Sequence, residues 1–342
     1  MNIEKLFTLQ LFAVQTTLLD TTGNDLSPEM KTYYEKDLLE NAKPNLVYNQ
    51  FGQKKPIPAN NGKSVEWRKF TKLAKATTPL TEGVTPSGNI LDVTIVTGNV
   101  DQYGDYIAMS DVLELTSIDN VVLQTNKILA DQASETLDTI TRDVIMAGTN
   151  VLYADKVTSG TVTAITSRAD LTADCKLTPD VIWQARRALQ TQNIKPIDGK
   201  YYVCIIHPDV AYDLQRNAEW IDAHKYDQPE NLYNGEIGQI GGVRFVLSSE
   251  AKIFKDSTTT PSSGLAVYGC LMLGENAYGV TGIDGGGLEF ILKQKGSAGT
   301  ADPLNQRSSV GWKSIHGAVI LADEAMIRIE CCGKYSATAA AN

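Results

Sequence analysis

The chain has 342 residues, of which 42% are hydrophobic and 21% charged, proportions of an ordinary folded protein that exclude wholesale disorder. Its 40 acidic against 31 basic residues give a net charge of −9, which repels nucleic acid at long range and argues against sequence-specific DNA binding. The length accommodates one large domain or two to three smaller ones.

The opening stretch "MNIEKLFTLQLFAVQTTLLD" does not read as a signal peptide. Lys5 is its only basic residue, Glu4 and Gln10 interrupt the apolar positions, and no small-residue cleavage site follows. Nowhere is there a run of about 18 apolar residues, the length needed to span a bilayer. "SPEMKTYYEKDLLENAKP" predicts a helix with Ser27 as cap, Pro28 in the first position, Glu29 in the first turn and Pro44 as its stop. Tyr33, Tyr34, Leu38 and Leu39 give that helix one modest apolar face, which needs a covering surface.

Residues 62–109 change to strand-like spacing. "GKSVEWRKF" places Val65, Trp67 and Lys69 on one face, and "NILDVTIVTGNV" and "DQYGDYIAMS" carry β-branched and aromatic residues. Between them "ATTPLTEGVTPSG", with Pro79, Gly83, Pro86 and Gly88, predicts a long loop tip. The whole is a β-ribbon with few apolar positions, marginal alone in water, so it must lie on something else.

From Ile118 to Ala147 there is neither glycine nor proline, and Ile118, Val122, Leu129, Ala133, Leu137, Ile140 and Val144 recur at helical steps. Asp119 in the first turn, Arg142 near the last and Gly148 just beyond predict the ends of a helix roughly 45 Å long. "TPDVIWQARRALQTQNI" predicts a second helix, with Thr178 as cap, Pro179 first, and Val181, Ile182, Ala185 and Leu189 inward. "YYVCIIHPDVAYDLQRN" reads as a buried strand, a turn at His207–Pro208 and a helix. "VRFVLSS", "LAVYGCLMLG", "GLEFILKQKG" and "WKSIHGAVILADEAMIRIECC" are strand-like, and no internal repeat is evident.

Candidate chemistry is sparse. Gly235, Gly238, Gly241 and Gly242 match neither dinucleotide nor P-loop spacing, and a strand rather than a helix follows them, so they predict turns. His207 in "HPD" predicts a cap or turn residue, and His224 and His316 have no metal-like spacing. If "LADEAM" is a strand, Asp323 and Glu324 point to opposite faces. Cys204 and Cys270 sit in apolar runs as small hydrophobes, and with Cys175, Cys331 and Cys332 the odd count suggests neither a disulfide framework nor a zinc site. This cysteine usage predicts a reduced, cytoplasmic setting. No catalytic constellation and no cofactor motif is visible. Arg68, Lys69, Lys72 and Lys75 form the one local basic concentration, and contact with an acidic neighbouring subunit explains it better than nucleic acid.

"PLTEGVTPSG", "GDYIAMSDVLELTSID", "LDTITRDVIMAGTNVLYAD", "YYVCIIHPDVAYDL", "GEIGQIGGVRFVLSSEA" and "VGWKSIHGAVILADEAMIRIE" together resemble a family of tailed-bacteriophage major capsid proteins. The matches run in family order from about residue 30 to 332. The resemblance implies an α+β fold of the Hong Kong 97 type: an N-terminal arm over 1–54, an extended loop over 55–110 and a peripheral domain over 111–175 with a spine helix at 118–147. An axial domain over 176–265 and a return to the peripheral domain over 266–342 complete it. It implies a structural subunit, not an enzyme, that self-assembles through hexameric and pentameric capsomers into an icosahedral shell around the phage genome. Trp67, Arg68, Lys69, Lys72, Lys75, Pro79, Leu80, Glu82, Val84 and Pro86 of the extended loop would then lie at the subunit interface. Implied partners are further copies of itself, scaffolding, portal and decoration proteins, and non-specifically held DNA, with no membrane; assembly would occur in the host cytoplasm. A cellular cage of the same fold, an α/β nucleotide-binding enzyme and a tail or decoration protein remain as other readings.

Overall fold

A computed structural model describes residues 47–116, 121–158, 160–197, 199–224, 236–255, 261, 264–297 and 302–342. In chain order the strands are β1 (Gln53–Lys54), β2 (Ser64–Phe70), β3 (Val93–Asn99), β4 (Asp101–Ser110), β5 (Val151–Tyr153), β6 (Lys156–Thr158), β7 (Thr161–Thr163) and β8 (Tyr202–Ile206). They continue as β9 (Glu236–Ile240), β10 (Val243–Leu247), β11 (Ile253–Phe254), β12 (Val267–Leu273), β13 (Tyr278–Thr281), β14 (Glu289–Lys293), β15 (Arg307–Ile320) and β16 (Met326–Cys331). The helices are α1 (Asp111–Thr116), α2 (Val121–Met146), α3 (Pro179–Thr191), α4 (Pro208–Gln215) and α5 (Ala218–His224). The helix expected over residues 27–43, the helix start at Ile118 and Asp119, and Gly235 lie outside the described residues.

The described chain divides into two compact units of interleaved sequence. One comprises 102–137 and 285–315, the other 47–101, 138–284 and 316–342. In the larger unit a seven-stranded sheet runs in the order β5-β16-β12-β8-β10-β9, with β11 also on β12. Apolar residues cover both of its faces. Tyr202, Cys204 and Ile206 of β8 and Tyr268, Cys270 and Met272 of β12 join one core with Val181, Ile182, Ala185 and Leu189 of α3. Val203, Ile205, Leu271 and Leu273 join a second core with Tyr48, Ile145, Met146 and Tyr278. A strand covered on both sides has no polar face, which is why "YYVCII" and "AVYGCLML" are unbroken apolar runs. All five cysteines are buried free thiols.

The glycine cluster builds a hairpin. Strands β9 and β10 pair antiparallel, Val243 opposite Ile240, across a turn at Gly241 and Gly242 with φ of 56° and 75°. Two consecutive positive φ angles define a tight hairpin turn of matching twist, which glycine enters without steric cost. A Cβ on Gly241 would strike the Trp183 indole, so space also demands glycine there.

The smaller unit packs α2 against β14, β4 and the first part of β15. Its core is Met109, Leu129, Ala130, Ala133, Phe290, Val310 and Trp312. Gln132 ties these elements together: its amide donates to Asp105 Oδ2 at 2.7 Å and its carbonyl oxygen accepts from Trp312 Nε1 at 3.2 Å. Gly104 and Gly311 let β4 and β15 approach closely, since a Cβ on either would meet the facing strand within 3 Å.

Helix α2 departs from its expected face. Leu129, Ala133 and Leu137 are buried as expected, whereas Ile140 and Val144 are only partly covered. Ser134, Asp138, Thr141 and Arg142 take the inward positions instead. The helical period is intact, but polar side chains occupy the buried stripe, so reading hydrophobicity alone picks the neighbouring positions. Arg142 is thus no surface complement to the helix dipole: its Nη1 donates to the Glu250 carbonyl at 2.6 Å, and its side chain is 2% exposed. The "LADEAM" stretch is a second departure. A 3-10 turn at Asp323–Ala325 separates β15 from β16, so Asp323 and Glu324 do not alternate across a strand.

Candidate assembly surface

The β2–β3 ribbon pairs antiparallel from Ser64 opposite Asn99 to Phe70 opposite Val93. Its base is seated on its own chain. Val65 and Trp67 point to one face with their cross-strand partners Gly98 and Val96. The Trp67 indole rests between Gly98 and Gly279, where a Cβ on either would come within 2.8 Å of the ring, and Val319 closes the same space. Lys55 Nζ lies 5.7 Å from the ring centroid, a cation–π contact. Trp67 Nε1 is buried without a hydrogen-bond partner among the described residues. This seat makes the glycines specific: Gly279→Val is expected to displace the indole and cost about 1–3 kcal/mol, read as a lower urea midpoint.

Beyond the base the described residues leave the ribbon open to solvent, apart from one surface ion pair. Every residue from Arg68 to Ile95 is exposed. The loop between the strands has few internal hydrogen bonds, among them Thr71 N–H to Asp92 O at 3.0 Å and Val84 N–H to Thr81 O at 3.2 Å. The second closes a turn at Gly83, whose φ is 78°. Of the candidate interface residues, Trp67 is the one packed inward, while Arg68, Lys69, Lys72, Lys75, Pro79, Leu80, Glu82, Val84 and Pro86 all stand in solvent. Lys69 forms an ion pair with Glu324 of the same chain. With both partners about half exposed, that pair contributes little. The Lys69 hydrogen bond is the chief cause holding the Glu324 carboxyl below its usual range.

The loop carries four basic residues but eight exposed large apolar ones. Phe70 is 61% exposed, Leu80 78%, Ile90 89% and Leu91 62%, with Leu73, Val84, Val93 and Ile95 also exposed. Register places Arg68 and Phe70 opposite Ile95 and Val93, so Phe70, Val93 and Ile95 share the face away from Trp67. So dense a run of exposed large apolar side chains marks an interaction surface. The signal was present in "NILDVTIV", whose alternate apolar residues form two faces although only one is covered among the described residues.

The other candidate residues serve structure. His207 caps α4: its Nδ1 accepts from the Asp209 amide at 3.1 Å, and burial holds its pKa below the ordinary value. Asp209 Oδ2 in turn accepts from the Tyr268 hydroxyl at 2.6 Å. Thr178 is the N-cap residue of α3 but makes no side-chain capping bond. Among the described residues no group of His, Cys, Asp and Glu side chains is arranged to hold a metal ion. No helix among them is long and apolar enough to cross a membrane.

Comparison with known proteins supplies the context for this surface. The family model described as phage capsid protein matches residues 94–329. No curated protein matches the chain in sequence. Among solved structures, the capsid of Ralstonia phage GP4 is 16% identical with a TM-score of 0.65, over 98% of each chain. The capsid of cyanophage Pam1 is 13% identical with a TM-score of 0.64, covering 96% of this chain and 99% of that one. The head structure of Helicobacter pylori bacteriophage KHP40 is 13% identical with a TM-score of 0.61, covering 97% and 99%. At these identities the structures establish shared fold, and the family match over well over half of the chain establishes kinship. The chain belongs to the phage capsid protein family and is a major capsid protein, a self-associating subunit of the viral shell.

Proposed function

We propose that the β2–β3 ribbon is the extended loop of a Hong Kong 97-type subunit and reaches over a neighbouring copy in a closed icosahedral shell of hexameric and pentameric capsomers. The observation that carries this reading is the exposed run from Arg68 to Ile95, with eight large apolar side chains that no described part of their own chain covers. A neighbouring copy supplies that burial, and symmetric closure supplies it to every copy. Arg68, Lys72 and Lys75 then fix register against the acidic surface of the next subunit. In the same reading residues 1–54 are the arm, 111–175 with 266–342 the peripheral domain carrying α2 as its spine, and 176–265 the axial domain. The shell holds packaged DNA without sequence preference, and scaffolding, portal and decoration proteins act with it during assembly in the host cytoplasm.

Deleting Pro79–Gly88 tests the role of the loop. The ribbon base and Trp67 seat remain, so the variant is expected to fold with an unchanged urea midpoint and to yield no closed particles by negative-stain electron microscopy. Particles of normal size and number from the deletion variant would overturn the assignment.

A further inference from the structure

Away from the ribbon, the larger unit contains an open cavity of about 350 Å3. Lys176 and Thr178, just before α3, form one wall; Tyr212, Asp213 and Arg216, at the end of α4, form the second; and Lys334, beyond β16, forms the third. The side chains are held in place by one another. Asp213 is the acidic member, and its carboxylate is 7% exposed and already engaged. Its Oδ2 accepts from the Lys334 amide at 2.8 Å, and its Oδ1 faces Lys176 Nζ at 3.4 Å. Three cations against one carboxylate leave an excess of positive charge in a protein that is acidic as a whole.

Two of those cations converge on one phenol. Arg216 Nη1 donates to the Tyr212 hydroxyl oxygen at 2.9 Å, and Lys334 Nζ lies 3.4 Å from the same atom. Both also sit over the Tyr212 ring, at 5.4 Å and 5.2 Å from its centroid. Like charges brought this close repel unless an anion answers them. Because the phenol oxygen accepts from both cations, its own proton is directed elsewhere. The same two hydrogen bonds, Lys334 first, hold the Tyr212 hydroxyl below its ordinary pKa. The accessible groups are therefore donors: an arginine fork, an ammonium and an acidified phenol.

We propose that this cavity is an oxyanion site that takes a phosphate group. Arg216 holds it through its fork, Lys334 and Lys176 neutralise it, and Tyr212 donates its hydroxyl proton to a phosphate oxygen. The chemistry is shared by inorganic phosphate and by a phosphodiester of duplex DNA.

The test is thermal unfolding and calorimetric titration of the full chain with inorganic phosphate, against sodium chloride at matched ionic strength. Wild type is expected to show a saturable phosphate-dependent rise in Tm. Arg216→Gln with Lys334→Gln should weaken phosphate at least roughly tenfold, the loss expected when charge-assisted hydrogen bonds are removed. Tyr212→Phe should weaken it less and remove the phenol absorbance change of the one described tyrosine held below its ordinary pKa. Lys200→Gln, exposed and outside the cavity, should leave the titration unchanged. Short duplex DNA added as competitor assigns the source: displacement of phosphate points to a phosphodiester, and no displacement to the free ion. Absence of saturable binding in wild type, or equal phosphate affinity in the double variant, would overturn the proposal.

Discussion

Replacing Glu330 with alanine is expected to lower stability by about 3–5 kcal/mol, the typical result of breaking a buried ion pair from one side. Glu330 lies on β16 between Gly269 of β12 and Tyr153 of β5, and its side chain is fully buried. Arg168 grips it bidentately, with Nε and Nη2 each 2.6 Å from a carboxylate oxygen. Arg328 Nε adds a third bond at 2.8 Å, and its Nη1 donates to the Gly148 carbonyl at 3.0 Å. The Arg168 guanidinium also stacks 3.9 Å from the Phe254 ring centroid. Removing the carboxylate leaves two half-buried guanidinium groups without their shared anion, although Arg328 keeps its carbonyl partner. Urea unfolding of the full chain, with the m-value compared to wild type, measures the loss. A change below about 1 kcal/mol would show that water or rearrangement satisfies both arginines.

The second large effect is in pH dependence, because Asp138 and His316 oppose one another. Burial raises the Asp138 carboxyl to about 6, despite the Tyr48 amide that donates to its Oδ1 at 2.8 Å. Burial lowers His316 to about 4. Its Nε2 lies 2.7 Å from Thr141 Oγ1, which donates to Asn49 Oδ1 at 2.6 Å, so the neutral ring donates from Nε2. Arg142, Glu250, Tyr48 and Tyr278 are the other charged or titratable groups around Asp138. The signs differ. Between about pH 4 and 6 the folded chain binds a proton at Asp138 that the unfolded chain has released, so this contribution falls as pH rises. Between about 4 and 6.5 the unfolded chain protonates a histidine that stays neutral when folded, so this contribution falls as pH drops. Each shift corresponds to roughly 3 kcal/mol, so together they leave a nearly flat profile. Asp138→Asn is expected to expose acid lability, with stability dropping between pH 6.5 and 4. His316→Gln should tilt the curve the other way, the protein being firmer at pH 4 than at 6. Parallel urea midpoints for all three proteins across pH 4–6.5 would refute the opposition.

The sequence marked most of the architecture where a single physical cause acts. Strands covered on both faces announced themselves as apolar runs, and α3 declared its start through Thr178 and Pro179. The turn expected within the glycine stretch is present at Gly241 and Gly242, and Val243–Leu247 follows it as a strand. What stayed hidden depends on pairing across distance. Nothing near Asp138 or Thr141 shows that Tyr48, Asn49 and His316 await them, about 90 and 175 residues away. The basic residues of the ribbon were visible as charge, while its apolar outer face emerged when register set Phe70 opposite Val93. The cavity around Tyr212 draws on three separated segments and has no local signature at all.

The strand order of the larger sheet also sets a schedule for synthesis. The last described strand, β16, occupies an interior position between β5 and β12. A nascent chain lacking it presents two unpaired edges, and the fully apolar β12 is one of them. Only a ribosome that has passed Cys331 delivers the insert that closes the gap. Products that stop before Cys331 therefore stay sticky and open to proteolysis, and the pool from which particles are built is screened for a filled sheet before any subunit meets another.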